Sequence, residues 1–230
     1  MRILSIGQTI EYDSLDILNI NESDLATLLD IASFNYIIIN GGDGTIRRIV
    51  KILHTIKHNA KFILNPTGSF NVVAKIHRVP QLDIILSALS QGLPLKSEPQ
   101  PYYSLNDEVF LFSAGNMGDL QHIFLSETLR FGILKKGISK YILAGLFLFP
   151  VHLIMTPFML LSKRKFFIFT PAKFIQKFGS FYGEVKEMRI NLKNNYNLLE
   201  LDGDIVTVEE SILHIVSAGE IYILTTLGNT

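Results

Sequence analysis

The sequence predicts an α/β fold, with an N-terminal open parallel sheet flanked by helices and a C-terminal, mainly antiparallel β domain. Two apolar strands that each end in a glycine turn predict the first part. Tyr36 to Ile39 runs into Gly41-Gly42-Asp43-Gly44-Thr45, and Lys61 to Leu64 runs into Asn65-Pro66-Thr67-Gly68-Ser69. Unbroken apolar runs suit strands covered on both faces, as parallel strands are. After Gly92-Leu93-Pro94 the pattern changes to closely spaced strands with few helices, which predicts the second part.

Taken in order, Arg2 to Ile6 and Leu15 to Ile20 are the first strands, and Ser23 to Ala32 is a helix with Ser23 as N-cap. The strand at Ile37 and its glycine turn lead into a helix reaching about His58, marked by Ile46, Ile49, Val50 and Leu53. The second glycine turn leads into a helix through about Ile76, closed by Pro80, and Leu82 to Leu89 is a further helix. The expected domains are 1–94 and 95–230. In the second, strands are expected at Val109 to Ser113, Phe166 to Phe169, Val185 to Leu192, Leu198 to Leu201, Ile212 to Val216 and Ile221 to Thr225.

With 48% apolar and 18% charged residues in 230, the chain is a folded protein and not a disordered one. The absence of cysteine excludes disulfides, thiolate metal sites and a cysteine nucleophile. The N-terminus has no long apolar core, so a signal peptide is not expected and a cytoplasmic location is. Net charge is zero, yet no Asp or Glu occurs between Thr128 and Gly183. That window holds nine basic residues, leaving 12 basic against 21 acidic elsewhere. Such asymmetry points to an anionic partner for the segment Arg130–Lys177. Within it, Tyr141 to Leu161 carries no formal charge. Its length suits a span of ~20 residues, but Pro150, Pro157 and His152 interrupt it. A buried helix and a helix docking on a membrane surface both stay open for 134–162, ahead of a true span.

A strand, a glycine turn and a helix N-terminus place backbone N–H groups where they can meet a phosphate. Glycine removes the Cβ atoms that would hold an anion at a distance, and Asp43 could hold Mg²⁺ or take a proton. Taken singly, the motifs have plainer explanations: Gly68-Ser69 as a left-handed turn and Asp202-Gly203-Asp204 as a hairpin turn. The six histidines show no metal-ligand spacing, and His54, His58 and His77 are expected on helix surfaces.

Gly41 to Thr45, followed by Pro66-Thr67-Gly68-Ser69-Phe70-Asn71-Val72-Val73-Ala74-Lys75 and Val79-Pro80, resembles the catalytic domain of diacylglycerol and sphingosine kinases, the bacterial lipid kinases most closely. Ala114-Gly115-Asn116-Met117-Gly118-Asp119 resembles the opening of that family's second domain. Lys135 to Leu146 resembles its following helix, and Leu201-Asp202-Gly203-Asp204 its late D-G-E motif. The resemblance implies an NAD kinase/diacylglycerol kinase-like fold, ATP and Mg²⁺ as cofactors, and phosphorylation of a hydroxyl on diacylglycerol or a related long-chain lipid. It implies that Gly41, Gly42, Asp43, Gly44 and Thr45 bind the nucleotide phosphates. Gly68, Ser69 and Asn71 would form the opposing wall. Asp43 would carry the metal, Asp204 would be the proton acceptor, and Asp119 and Asp202 would lie towards the lipid. The reaction would sit between the domains.

Departures from the family pattern are specific. Gly7-Gln8-Thr9 stands where an N-P-x-S-G loop is usual, and Ile46-Arg47-Arg48 replaces L-N-E, reversing charge beside the phosphates. Asp204 replaces Glu, and the second domain lacks counterparts of a glycine-rich stretch and a D-G-x-L-D-V loop. The sequence therefore favours a lipid kinase acting at a membrane surface, contacting anionic lipids through Arg130–Lys177 in peripheral association. A catalytically degenerate lipid-binding relative and, behind it, NAD kinase are the alternatives. No nucleic-acid partner is expected, and a homo-oligomer is compatible with the sequence.

Overall fold

The computed structural model describes residues 1–116, 166–171 and 180–227. Asp119, the helix proposed at 134–162, the stretch Lys135 to Leu146 and all nine basic residues of Arg130–Lys177 lie outside the described residues. No helix among the described residues is long and apolar enough to cross a membrane.

The chain divides into two compact units. The first is Met1–Pro101 together with the stretch from Gly219 on, and the second is Tyr102–Ala218. The division differs from a single junction near residue 94, because the last strand returns to the first unit.

In the first unit, β1 (Arg2–Ile6), β2 (Asp16–Ile20), β3 (Tyr36–Gly41) and β4 (Lys61–Pro66) form a parallel array in the order β2-β1-β3-β4. Two further strands continue it: β13 (Ile212–Leu227), whose Ile223 pairs in parallel with Phe62, and then β5 (Leu95–Leu105). Strand alternation sends Ile3, Ile38 and Ile63 to one face, where they pack with Ile85, Leu86 and Leu89 of α3 (Leu82–Ser90). The apolar residues Ile46, Ile49, Val50 and Leu53 of α1 (Asp43–Leu53) are also buried. Each such side chain contributes about 1.5–3 kcal/mol on removal from water.

Local differences from expectation have local causes. Ser23 to Ala32 forms two 3₁₀ turns, Glu22–Thr27 and Ile31–Ser33, not a ten-residue α-helix. It buries only Leu25 and Ile31, too narrow a stripe to hold several α-turns. Helix α1 stops at Leu53, before Asn59-Ala60 starts the approach to β4. Helix α2 (Val72–Ile76) is only five residues long.

In the second unit, a five-stranded sheet has the order β12 (Asp204–Val208), β11 (Asn197–Leu201), β7 (Ser113–Gly115), β8 (Phe167–Phe169), β9 (Ser180–Tyr182). All its pairs are antiparallel except β8 with β9. The first half of β13 pairs with β10 (Glu187–Asn191), and the end of β5 pairs with β6 (Glu108–Phe110). The core holds Tyr103, Phe110, Ile168, Leu199, Leu201, Leu213 and Ile215 among others, with Tyr103 stacked on Phe110 at 5.1 Å.

Candidate functional site

Both glycine turns of the first unit lie at the carboxyl ends of neighbouring parallel strands, the edge where open α/β sheets bind ligands. The register Asn40↔Asn65 and Gly41↔Pro66 carries the two chains into their turns side by side, and the Thr67 amide donates to the Gly41 carbonyl at 3.1 Å. The turns touch through glycines. A Cβ on Gly68 would lie 2.6 Å from the Gly42 Cα, and one on Gly42 would lie 3.0 Å from the Gly68 Cα. A Cβ on Gly41 would meet the Thr45 side chain at 2.5 Å. None of Gly41, Gly42, Gly44 and Gly68 has a positive φ; the left-handed residue is Asn71, at φ 50°. Gly41, Gly42 and Gly68 are therefore required for close approach and not for backbone conformation.

Asp43 closes the pair of turns. Its carboxylate is buried, and it accepts the Val72 N–H at 2.8 Å and the Val73 N–H at 3.0 Å, which are among the first donors of α2. A helix of five residues has little stability of its own, so the carboxylate supplies what capping and length do not. Burial raises the Asp43 carboxyl above its usual value, against the lowering effect of the two amides and Lys75. The N-cap of α1 is Gly42, which has no side chain to cap the first turn, although the Asp43 carboxylate interacts with its own amide there. Asn71 donates through Nδ2 to the Gly68 carbonyl at 2.8 Å, while its Oδ1 is buried without a hydrogen-bond partner. The site thus combines a helix N-terminus with a glycine N-cap, an acceptor oxygen of Asn71 without a partner and the Asp43 carboxylate.

Oxygen donors of this kind fit Mg²⁺, which takes one or two carboxylates and completes its shell with water and phosphate oxygens. Among the described residues no three acidic or histidine side chains group into a fuller metal site. The reversed charge expected at Arg47-Arg48 is not left bare. Arg48 forks onto Glu22 at 2.5 and 3.1 Å and reaches Thr45 Oγ1 at 3.3 Å, and Arg47 is buried.

Residues that the sequence did not single out support this edge. Asn40 donates to Ser5 Oγ at 3.1 Å and the Ile6 carbonyl at 2.9 Å, and accepts from Asn65 at 2.8 Å, locking β1, β3 and β4 together where their ladders end. An asparagine closing each of two apolar runs is the signal that was there to be read. Asn19 pins the connection after β1 by two bonds to Ile10. That connection lines a cavity of about 630 Å³ with Asn65, Pro66 and the stretch Val79 to Asp83. Glu11 and Asp83 line it and no Lys or Arg does. His77, expected at a surface, is buried and meets Gln100 at 2.9 Å.

In the second unit, the D-G-D stretch is a two-residue hairpin turn, with Leu201 paired to Asp204 and both Asp202 (φ 51°) and Gly203 (φ 90°) left-handed. Asp202 is 3% exposed and accepts three successive amides, Leu111 at 2.6 Å and Phe112 and Ser113 at 2.9 Å. Burial outweighs these bonds and pushes its carboxyl up to about 7, with Glu200 adding in the same direction. Its carboxylate is turned into the protein. Asp204 starts β12 and is half-buried.

The model of the diacylglycerol kinase catalytic domain family matches residues 8–96. A crystal structure of a diacylglycerol kinase from Bacillus anthracis str. Sterne is similar in fold at a TM-score of 0.55 and 12% identity, covering 98% of this chain and 96% of that one. A second crystal structure from the same organism, of a candidate diacylglycerol kinase, gives 0.54 and 11%, over 98% and 97%. No curated protein sequence matches the chain.

Proposed function

We propose, from the match of residues 8–96 to the diacylglycerol kinase catalytic domain family, an ATP-dependent kinase that phosphorylates a hydroxyl of diacylglycerol or a related long-chain lipid. The observation that carries this reading is the contact of the two glycine turns. Gly42 and Gly68 meet backbone to backbone, beside a helix N-terminus whose N-cap is a glycine and beside Asn71 Oδ1, which has no hydrogen-bond partner.

In this reading, the amides of the α1 first turn and of Gly68 and Ser69 bind the ATP phosphates. Asp43 and Asn71 would hold Mg²⁺, which would supply charge neutralisation. Asp43 has a second duty, since its bonds to Val72 and Val73 keep the turns in register. The cavity beside Asn65-Pro66 has no cationic lining, so it suits an uncharged part of a ligand and not its phosphates. Asp204 is the proposed proton acceptor for the lipid hydroxyl. Asp202 serves as an anchor of the turn that presents it. Arg130–Lys177 is the proposed contact with anionic lipids in peripheral membrane association.

The second reading, a lipid-binding relative without turnover, is favoured by two observations. Packing alone explains the glycines, and Arg48 occupies the Thr45 hydroxyl where the family carries L-N-E. Incubation of the protein with γ-labelled ATP, Mg²⁺ and vesicles containing diacylglycerol separates the two. Label in the lipid, lost in Asp204→Ala, supports the kinase. Vesicle binding without label supports the second reading.

A further inference from the structure

The hairpin that carries Asp204 contains a buried acid for which the proposed reaction has so far no use. Glu200, 8% exposed on β11, accepts the Ser113 hydroxyl at 3.1 Å and the Gly203 amide at 2.5 Å through one oxygen, Oε1. We propose that Glu200 is a positioning residue for Asp204: by holding the Gly203 amide and Ser113 together, it fixes the direction in which Asp204 leaves the turn. This rests on the assignment of Asp204 as proton acceptor.

The turn itself does not need such a bond. An Asp-Gly pair with both residues left-handed is already a favoured two-residue hairpin, and a buried carboxylate costs several kcal/mol that hydrogen bonds must offset. What Glu200 adds is rigidity towards β7. Register places Glu200 opposite Gly115 and Leu201 opposite Ala114, so Ser113 lies just beyond the paired stretch and beside the turn. The Asp202 amide donates to the Ser113 carbonyl at 3.1 Å, and the Asp202 carboxylate gathers the amides of Leu111, Phe112 and Ser113. Two buried acids, two residues apart, thus clamp one turn to one neighbouring strand, Asp202 through backbone amides and Glu200 through the Ser113 side chain. Gly203 N–H, the donor held by Glu200, belongs to the residue immediately before Asp204.

A general base must meet its proton within hydrogen-bond reach, and displacement of a reacting group by about 1 Å costs ~10²-fold. The test compares Glu200→Ala and Glu200→Gln with the wild type in the labelled-ATP assay and by NMR on full-length protein. Glu200→Ala is expected to lower kcat ~10²-fold with KM for ATP within ~2-fold. Glu200→Gln, which keeps an acceptor oxygen, is expected to recover most of the loss. The Gly203 amide proton, held downfield by its bond to the Glu200 carboxylate, should move upfield in both variants, further in Ala, and the Asp204 carboxyl carbon should shift in Ala. Wild-type kcat in Glu200→Ala, or equal losses in Ala and Gln, would overturn the proposal. Should Glu200→Ala not fold, the Gln variant decides: an unmoved Gly203 proton overturns it. If the wild type labels no lipid, the kinase assignment fails separately. An Asp204 carboxyl carbon unmoved in Glu200→Ala then overturns the positioning role by itself.

Discussion

At Gly68 the choice of residue is decided by a single interatomic distance. The missing Cβ leaves room for the Gly42 backbone at 2.6 Å and for Asn71 Oδ1 at 2.7 Å, neither of which is the loose end of a long side chain. Gly68→Ala must therefore part the turns. It is expected to lower stability by about 1–3 kcal/mol in urea denaturation and to weaken ATP binding at least ~10-fold. Asp202 makes a different prediction. Its folded pKa of about 7 lies above the unfolded value near 3.8, so the folded state holds a proton that the unfolded state has released. Stability is highest below that unfolded value, falls as pH rises from about 4 to 7, and levels off above. The urea midpoint should decline across this window, and less steeply in Asp202→Asn. Asp43, also raised by burial, adds a slope of the same sign that this variant leaves in place. At this scale the sequence was legible in identity but not in duty. Asp43 and Asp202 stood out as acids beside glycines, yet only the fold shows their carboxylates turned onto backbone amides 29 and about 90 residues away.

Among the elements, those with strong periodicity or apolar runs were legible: β1, β3, β4 and α3 lie where the pattern puts them, and α1 starts there but stops at Leu53. Strand β5 was not, because Lys96-Ser97-Glu98-Pro99-Gln100-Pro101 offers neither alternation nor β-branched residues, and two prolines argue against a ladder. Strand β13 was read as two, since Ser217-Ala218-Gly219-Glu220 is polar, small and exposed; the strand nevertheless runs on through Gly219, whose positive φ of 148° is a conformation that favours glycine. The helix expected from Ser23 proved to be 3₁₀ turns, tied to β1 through Arg2 with Ser33 and to α1 through Glu22 with Arg48. The Glu22 and Arg48 side chains are both about a third or more exposed, so Glu22→Gln should cost no more than about 1 kcal/mol. The loss in thermal midpoint should shrink at high salt, where the wild-type pair is itself screened.

For the whole molecule, the order of motifs carried more than any one of them. The two turns, read together, already pointed to the carboxyl edge of a parallel sheet, and the register of β3 on β4 sets both turns at that edge. The single junction near residue 94 was misleading because division follows contacts, and β13 carries the C-terminal stretch back into the first unit. No sequence pattern reports that return directly. The central claim is that the interlocked turns bind the phosphates of ATP. It is tested most directly by titrating ¹⁵N-labelled protein with Mg·ATP and following backbone amides. The account predicts that the amides of Gly42, Gly44, Thr45, Gly68 and Ser69 move together and saturate at one affinity, and that Gly68→Ala abolishes the response. Saturable binding with these amides unmoved, or an unchanged response in Gly68→Ala, would contradict it.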